Sequence, residues 1–197
     1  MARRLPAAHR RRQLLDVALS RFAATGFHAT AMDDIAEAAG VTKPVLYQHF
    51  GSKRQLYLEL LEDVGRELVD AIASATTTSE GPRRQVEAGF GAYLDVVAAR
   101  PDAFRLLFGS GARRDEQFAD AVRRVEAMIA DAVAALIAAD IDDDHRLVLA
   151  HAIVGMAEAV VRERLADDDT VDPKLLARQL ADLAWGGLRA VRRVDHG

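Results

Sequence analysis

Residues 40–53 read Gly40-Val41-Thr42-Lys43-Pro44-Val45-Leu46-Tyr47-Gln48-His49-Phe50-Gly51-Ser52-Lys53. Thr42 is placed to cap a short helix, and Pro44 falls in its first turn, where a missing N–H is harmless. Leu46 and Phe50, four residues apart, form its apolar side, and Gly51 breaks it. Thr42, Lys43, Pro44, Tyr47, Gln48 and His49 remain on the polar side. Immediately upstream, Thr30 is suited to cap a second short helix over residues 31–39. Asp33 and Asp34 lie in its electropositive first turn, Ile35 and Ala39 face inward, and Gly40 ends it. Two short helices joined by Gly40-Val41-Thr42 make a helix-turn-helix. A helix over residues 10–24 precedes them, with Leu15, Ala18, Leu19 and Phe22 on one face and Gly26 as its stop.

Outward from this segment the pattern stays helical. Ser52 caps a long helix over 53–75, and a polar loop at 76–81 separates it from a helix over 82–99. Shorter and longer helices follow over 102–108, 113–139 and 145–165, with Asp144 as a cap, and Asp172-Pro173 opens a last helix that ends near Val191. No Val/Ile/Thr-rich alternating run reads as a strand. The expected fold is all-α with nine helices: a three-helix head over residues 1–52 and a helical body over 53–197.

Half of the 197 residues are hydrophobic, enough for a sizeable core. There are no cysteines, which removes disulfides, zinc ribbons and thiol chemistry. The basic start lacks an apolar segment of signal-peptide type, and the longest low-charge stretch, 147–157, is too short to span a bilayer, so a cytoplasmic protein is expected. Net charge is −4, but residues 1–54 hold nine Lys/Arg against four Asp/Glu, and the rest holds 17 against 26. A head at +5 on a body at −9 places any polyanion at the head alone. The acidic run Asp142-Asp143-Asp144 before His145 reads as a helix-capping turn. No metal site, cofactor or clustered catalytic residues are expected, and the chain does not read as an enzyme.

In a helix-turn-helix the second helix enters the major groove and its N-terminal residues reach base edges. Gly26-Phe27, Thr30, Ile35-Ala36, Ala39-Gly40-Val41-Thr42, Leu46-Tyr47, His49-Phe50 and Ser52-Lys53 together resemble the head of the TetR family of bacterial regulators. The resemblance runs from about Arg11 to Leu61, and the helix layout beyond it agrees in outline. It implies a double-stranded DNA operator as partner, with Thr30, Thr42, Lys43, Pro44, Tyr47, Gln48, His49 and Lys53 at the interface. Lys43 is chemically suited to guanine acceptors and the Pro44 ring to a thymine methyl, while the resemblance puts Tyr47 and His49 at the backbone. Lys53 opens the fourth helix, where its charge and free N–H groups suit a phosphate. Arg3, Arg4, Arg10, Arg11 and Arg12 read as a basic arm or a solvated tail.

The resemblance further implies a homodimer and a small-molecule effector. Residues 147–161 are apolar nearly all round, and such a helix is buried all round. The last helix carries Leu176, Leu180, Leu183 and the Gly186-Gly187 pair. Ile153, Val160, Leu176, Leu180, Leu183 and Gly187 are therefore the expected dimer contacts, two helices from each subunit forming a four-helix interface. Phe90, Tyr93, Phe104, Phe108, Phe118 and Met128 either line an apolar effector pocket or fill the core, and His151 and Glu158 either orient a ligand or find partners elsewhere. The function expected is a repressor released from DNA by a hydrophobic effector. The alternative is a helical adaptor with a vestigial head, against which the intact Thr42, Lys43, Tyr47, His49 and Lys53 argue.

Overall fold

The structure is a computed structural model that describes residues 7–108, 115–166 and 172–191. Among these residues there are nine helices: α1 (Ala7–Ala29), α2 (Met32–Ala38), α3 (Lys43–His49), α4 (Lys53–Thr77), α5 (Pro82–Ala99), α6 (Pro101–Phe108), α7 (Glu116–Ala134), α8 (Asp143–Ala166) and α9 (Pro173–Leu188). They fall into two compact units. One takes the chain to Val64 together with Asp102–Val122; the other takes Gly65–Pro101 and everything from Arg123 on. Phe104, Leu107 and Phe118, from the second stretch, are buried in the first unit.

In the first unit α1 packs on α2 and α2 on α3. Leu14, Ala18, Ile35, Leu46, Phe50, Leu56 and Leu60 are fully buried. Gly26, at φ 80°, interrupts α1 where the sequence placed a stop. Gly40 ends α2 in the left-handed region, φ 65°, which a residue without Cβ adopts freely. The Val41 amide then donates to Ala36 O at 2.9 Å and the Gly40 amide to Glu37 O at 3.0 Å, the pair of hydrogen bonds that closes a helix end. Ser52 caps α4 as expected: its hydroxyl accepts from the Gln55 amide at 3.0 Å, while the Gln55 side chain reaches back to the Gly51 amide.

Two expected caps are corrected. Thr30 does not cap α2; Ala31 holds that position, its amide donating to the Asp34 carboxylate at 2.9 Å. Thr42 stands at the N-cap of α3, but its hydroxyl makes no capping bond, and its carbonyl alone accepts from Val45 and Leu46. Arg10, Arg11 and Arg12 are not an arm. They lie within α1, where Arg11 pairs with Glu59 and covers the Phe50 ring at 4.7 Å, and Arg12 pairs with Asp63 at 2.7 Å. Arg3 and Arg4 lie outside the described residues.

The second unit is built around α5 against α9, with Phe90, Leu94 and Val97 on one helix and Leu176, Leu180 and Ala184 on the other. α7 stops at Ala134, five residues short of the expected end. The Arg146 guanidinium takes up the carbonyls of Ile137, Ala139 and Ile141 in the turn that follows, groups that no helix pairs there. α8 starts at Asp143, and Asp142 rather than Asp144 accepts from the His145 amide, at 2.8 Å. The close approach of α4 to α7 needs Gly65: a Cβ there would lie 2.5 Å from Val125 Cγ1 and 2.9 Å from Met128 Cε.

Candidate nucleic-acid interface and internal cavity

α3 is a seven-residue helix held by one buried side. Leu46 and the following Phe50 are inaccessible, which fixes the rotation of the helix and turns Tyr47 and Gln48 to solvent. Tyr47 is 42% exposed, among the few large hydrophobic side chains left open. Thr42, Lys43 and Pro44 are exposed at the N-terminal end of the same helix, and His49 is half-buried beside Phe50. Thr42, Lys43, Pro44, Tyr47 and Gln48 thus share one outward surface. Lys43 is already engaged there: its ammonium lies 3.0 Å from the Asp33 carboxylate on α2. The hydrogen bond to Asp33 and its charge hold Lys43 above the ordinary lysine pKa.

Two residues expected at this surface face elsewhere. Thr30 is buried, and its hydroxyl donates to Gly26 O at 2.7 Å, so it offers nothing to an outside partner. Lys53 points into the first unit, where its ammonium donates to Phe27 O and Thr30 O, each at 2.8 Å. The sequence placed Lys53 correctly at the start of α4 but Thr30 wrongly as the cap of α2. Their partners lie on a corner whose shape no local pattern specifies.

The second unit contains a cavity of about 340 Å³. Its wall takes Ile72 from α4, Val86, Phe90 and Tyr93 from α5, Ile129 and Val133 from α7, Ile153, Val154 and Ala157 from α8, and Trp185 and Leu188 from α9. Phe90, Tyr93, Ile129 and Ala157 are buried and mark the interior; Pro82, Ala138, Asp140 and Arg189 are exposed and mark the opening. The charged lining residues, Asp140 and Arg189, are thus both exposed, and the rest of the wall is apolar but for Tyr93 and the half-buried Gln85.

Of the residues singled out for a pocket, Phe90 and Tyr93 line this cavity. Phe104 and Phe118 do not; both are core of the first unit, and Phe118 packs on Phe27 and Tyr57 with ring centroids 4.6 and 4.4 Å away. Met128 is half-buried against Gly65 and is not part of the wall. His151 is exposed, and Glu158 is buried and paired with Arg162 at 2.8 Å. Phe108 closes α6, and its side chain lies outside the described part. Trp185, the single tryptophan, and the turn residues Leu136 and Ile137 belong to the wall unforeseen.

The expected dimer contacts divide as well. Leu176 and Leu180 are buried inside this chain by α5, and Ile153 faces the cavity. Val160 is half-buried, whereas Leu183 is 66% exposed and Gly187 is open. Val148 on α8 is 64% exposed, so α8 is not buried all round within the chain, and Leu175 on α9 is exposed too.

Comparison with known proteins agrees with this layout. Residues 14–60 match the description "Bacterial regulatory proteins, tetR family", and residues 82–187 match "Tetracyclin repressor-like, C-terminal domain". The HTH-type transcriptional activator FasR of Mycolicibacterium smegmatis is 36% identical over 190 residues, covering 95% of this chain and 87% of that one. The chain belongs to the TetR family. It is a DNA-binding transcriptional regulator whose helix-turn-helix is α2–α3. The HTH-type transcriptional repressor KstR2 of Rhodococcus jostii is 30% identical over 190 residues, 93% of this chain and 80% of that protein. A TetR-like regulator from Rhodococcus sp. RHA1 superposes with a TM-score of 0.76 at 31% identity, covering 95% and 100% of the two chains. FadR from Bacillus subtilis, solved in complex with stearoyl-CoA, shares the fold with a TM-score of 0.78 at 14% identity over 89% of this chain and 98% of that one. Among the described residues no helix is long and apolar enough to cross a membrane.

Proposed function

We propose that the protein is a cytoplasmic homodimer that binds a two-fold-symmetric operator through α3 and leaves it when an apolar effector occupies the cavity of the second unit. The observation that carries the DNA half is the shared outward surface of Thr42, Lys43, Pro44, Tyr47 and Gln48 over the buried Leu46 and Phe50. Lys43 and Gln48 have the chemistry to read base edges, and Tyr47 to hold a backbone phosphate. The dimer half is supported by Val148 on α8 and Leu183 on α9, left open beside Gly155, Gly186 and Gly187, where an added Cβ meets nothing in this chain. Two such helices from each subunit would close over one another.

The effector half is supported by the cavity. Its apolar interior and charged rim suit a ligand with a hydrocarbon or ring body and a polar end left outside. FadR of the same fold was solved with stearoyl-CoA, which makes acyl thioesters the first class to test here. Ile72 of α4 belongs to the cavity wall and Lys53 opens the same helix. An occupant that shifts α4 would change the spacing of two recognition helices, and a few kcal/mol of preference is enough to empty the operator.

The reading is tested with duplex DNA flanking the protein's own gene. Binding should be specific and should weaken steeply between about 50 and 200 mM salt. Acyl thioesters of increasing chain length should release it, and Phe90→Trp, which fills the cavity, should abolish release while DNA binding persists. Release that is indifferent to Phe90→Trp sinks the cavity assignment. Repression is the sign we propose. A second reading, activation, is favoured by the identity to FasR, named an activator; transcription from the bound promoter in vitro separates the two.

A further inference from the structure

The mouth of the cavity is framed by three pieces of chain. Pro82 opens α5, Arg189 follows the end of α9, and Ala138 and Asp140 belong to the turn between α7 and α8. The first two are ends of helices that pack on one another. The turn is held differently. Of the backbone amides from Ala138 to Asp142, that of Ile141 alone donates to another backbone group among the described residues, to Ala139 O at 3.0 Å. Ile137 and Ile141 anchor the turn in an apolar cluster with Ala130 and Ala150. Between these anchors the side chains are short, and Ala138 and Asp140 are exposed.

Three carbonyls of the turn converge on one side chain. Arg146, near the start of α8, donates from Nη1 to Ile137 O, and from Nη2 to Ala139 O at 3.2 Å and Ile141 O at 3.1 Å. A guanidinium presents its donors as a rigid fork, so the three carbonyls are fixed relative to one another. The Arg146 side chain is only 25% exposed, which shields these bonds from water. The Asp143 carboxylate, 3.8 Å away and fully exposed, adds little.

We propose that the α7–α8 turn is the gate of the cavity and that Arg146 latches it. An occupant bound for the interior, where Phe90, Tyr93, Ile129 and Ala157 are buried, passes between the three framing pieces. That passage widens only if one of them moves. The packed helix ends move with the unit as a whole, whereas the turn is released once the bonds to Arg146 break. Arg146 is therefore a positioning residue: it is not part of the wall, and it acts through Ile137, Ala138 and Ala139, which are. The consequence for an effector rests on the reading of the cavity given above; the latch itself does not.

The chain has no cysteine, so a single thiol can be placed where it reports on opening. Ala157→Cys puts one inside the cavity and Ala18→Cys puts one in the core of the first unit; both alanines are buried. The reaction of each with N-ethylmaleimide is followed on the full chain, without DNA or effector. Arg146→Met keeps the stem and removes the fork. In that background labelling at Ala157→Cys should accelerate by about tenfold or more, because local opening has lost its main restraint. Arg146→Lys, which keeps the charge but offers its donors from one point, should give a smaller, severalfold rise. Labelling at Ala18→Cys should not change. An unchanged rate at Ala157→Cys overturns the inference. So does an equal acceleration at both thiols, which means that the whole fold has loosened. If Arg146→Met fails to fold, Arg146→Lys carries the test, and an unchanged rate at Ala157→Cys in that background overturns the inference. Because labelling is read without an effector, its outcome is separate from whether the cavity takes one.

Discussion

Lys43 and Asp33 face one another across the turn of the helix-turn-helix, both more than half exposed. An exposed pair of this kind adds little to stability. Its effect falls on binding, because Lys43 has to exchange a carboxylate for DNA. Asp33→Asn should therefore raise affinity for random-sequence duplex severalfold at about 50 mM salt, and blur the preference for the operator. The same change should lower the Lys43 pKa towards its ordinary value, read by NMR titration; an unmoved pKa would show that the pair does not persist in solution. Tyr57 offers a second residue-scale test. Burial, and then the nearby Asp115 charge, push its phenol from 10.0 up to about 12. The folded state favours the neutral form, so this contribution is whole below pH 10 and is lost as pH rises towards about 12. Denaturant titrations should show wild-type stability falling by about 2–3 kcal/mol more than that of Tyr57→Phe across this window; parallel curves would place Tyr57 in a wetter site.

At the scale of the element, α4 and α7 meet where Gly65 leaves room for Val125 and Met128. An alanine in mid-helix is ordinarily favoured over glycine by about 1 kcal/mol. Here its Cβ would fall 2.5 Å from a Val125 methyl, on a side chain too stiff at χ1 to step aside. Overpacking of this kind costs about 1–3 kcal/mol, so the contact wins over the propensity. Gly65→Ala should lower the unfolding midpoint, whereas Gly91→Ala on α5, where a Cβ meets nothing, should raise it. A stabilised Gly65→Ala would mean that the two helices are farther apart than described.

At the scale of the molecule, the open leucine on α9 is the informative one. Leu176 and Leu180 are enclosed by α5, so replacing either disrupts the chain itself. Leu183 is 66% exposed, and removing it costs the isolated chain little. Leu183→Asp should therefore keep the wild-type unfolding midpoint of the helical signal to within the dimer's own contribution, while sedimentation shifts from dimer to monomer and operator binding falls steeply. A wild-type chain that sediments as a monomer at micromolar concentration would remove the proposed interface altogether.

The helices, the Ser52 cap and the helix-turn-helix were legible in the residues because they depend on neighbours a few positions apart, whereas the caps expected at Thr30, Thr42 and Asp144 were not. Ser52 with Gln55, Gly40 after α2, Pro44 in the first turn of α3 and the Leu46/Phe50 pair all act within one or two turns. Periodicity also marked Leu46 and Phe50 as the inner side, which was enough to leave Tyr47 and Gln48 outside. Tertiary structure decided what each long side chain finds when it arrives. Lys53 meets carbonyls 23 to 26 positions back along the chain, and Arg146 takes up carbonyls of the turn that follows α7. Phe118 and Phe104 fill the first unit while Phe90 and Tyr93 face a hollow in the second. Apolar side chains are driven from water by area alone and carry no mark of which core they will join; that choice, and the space left unfilled by it, exists only once the helices have packed.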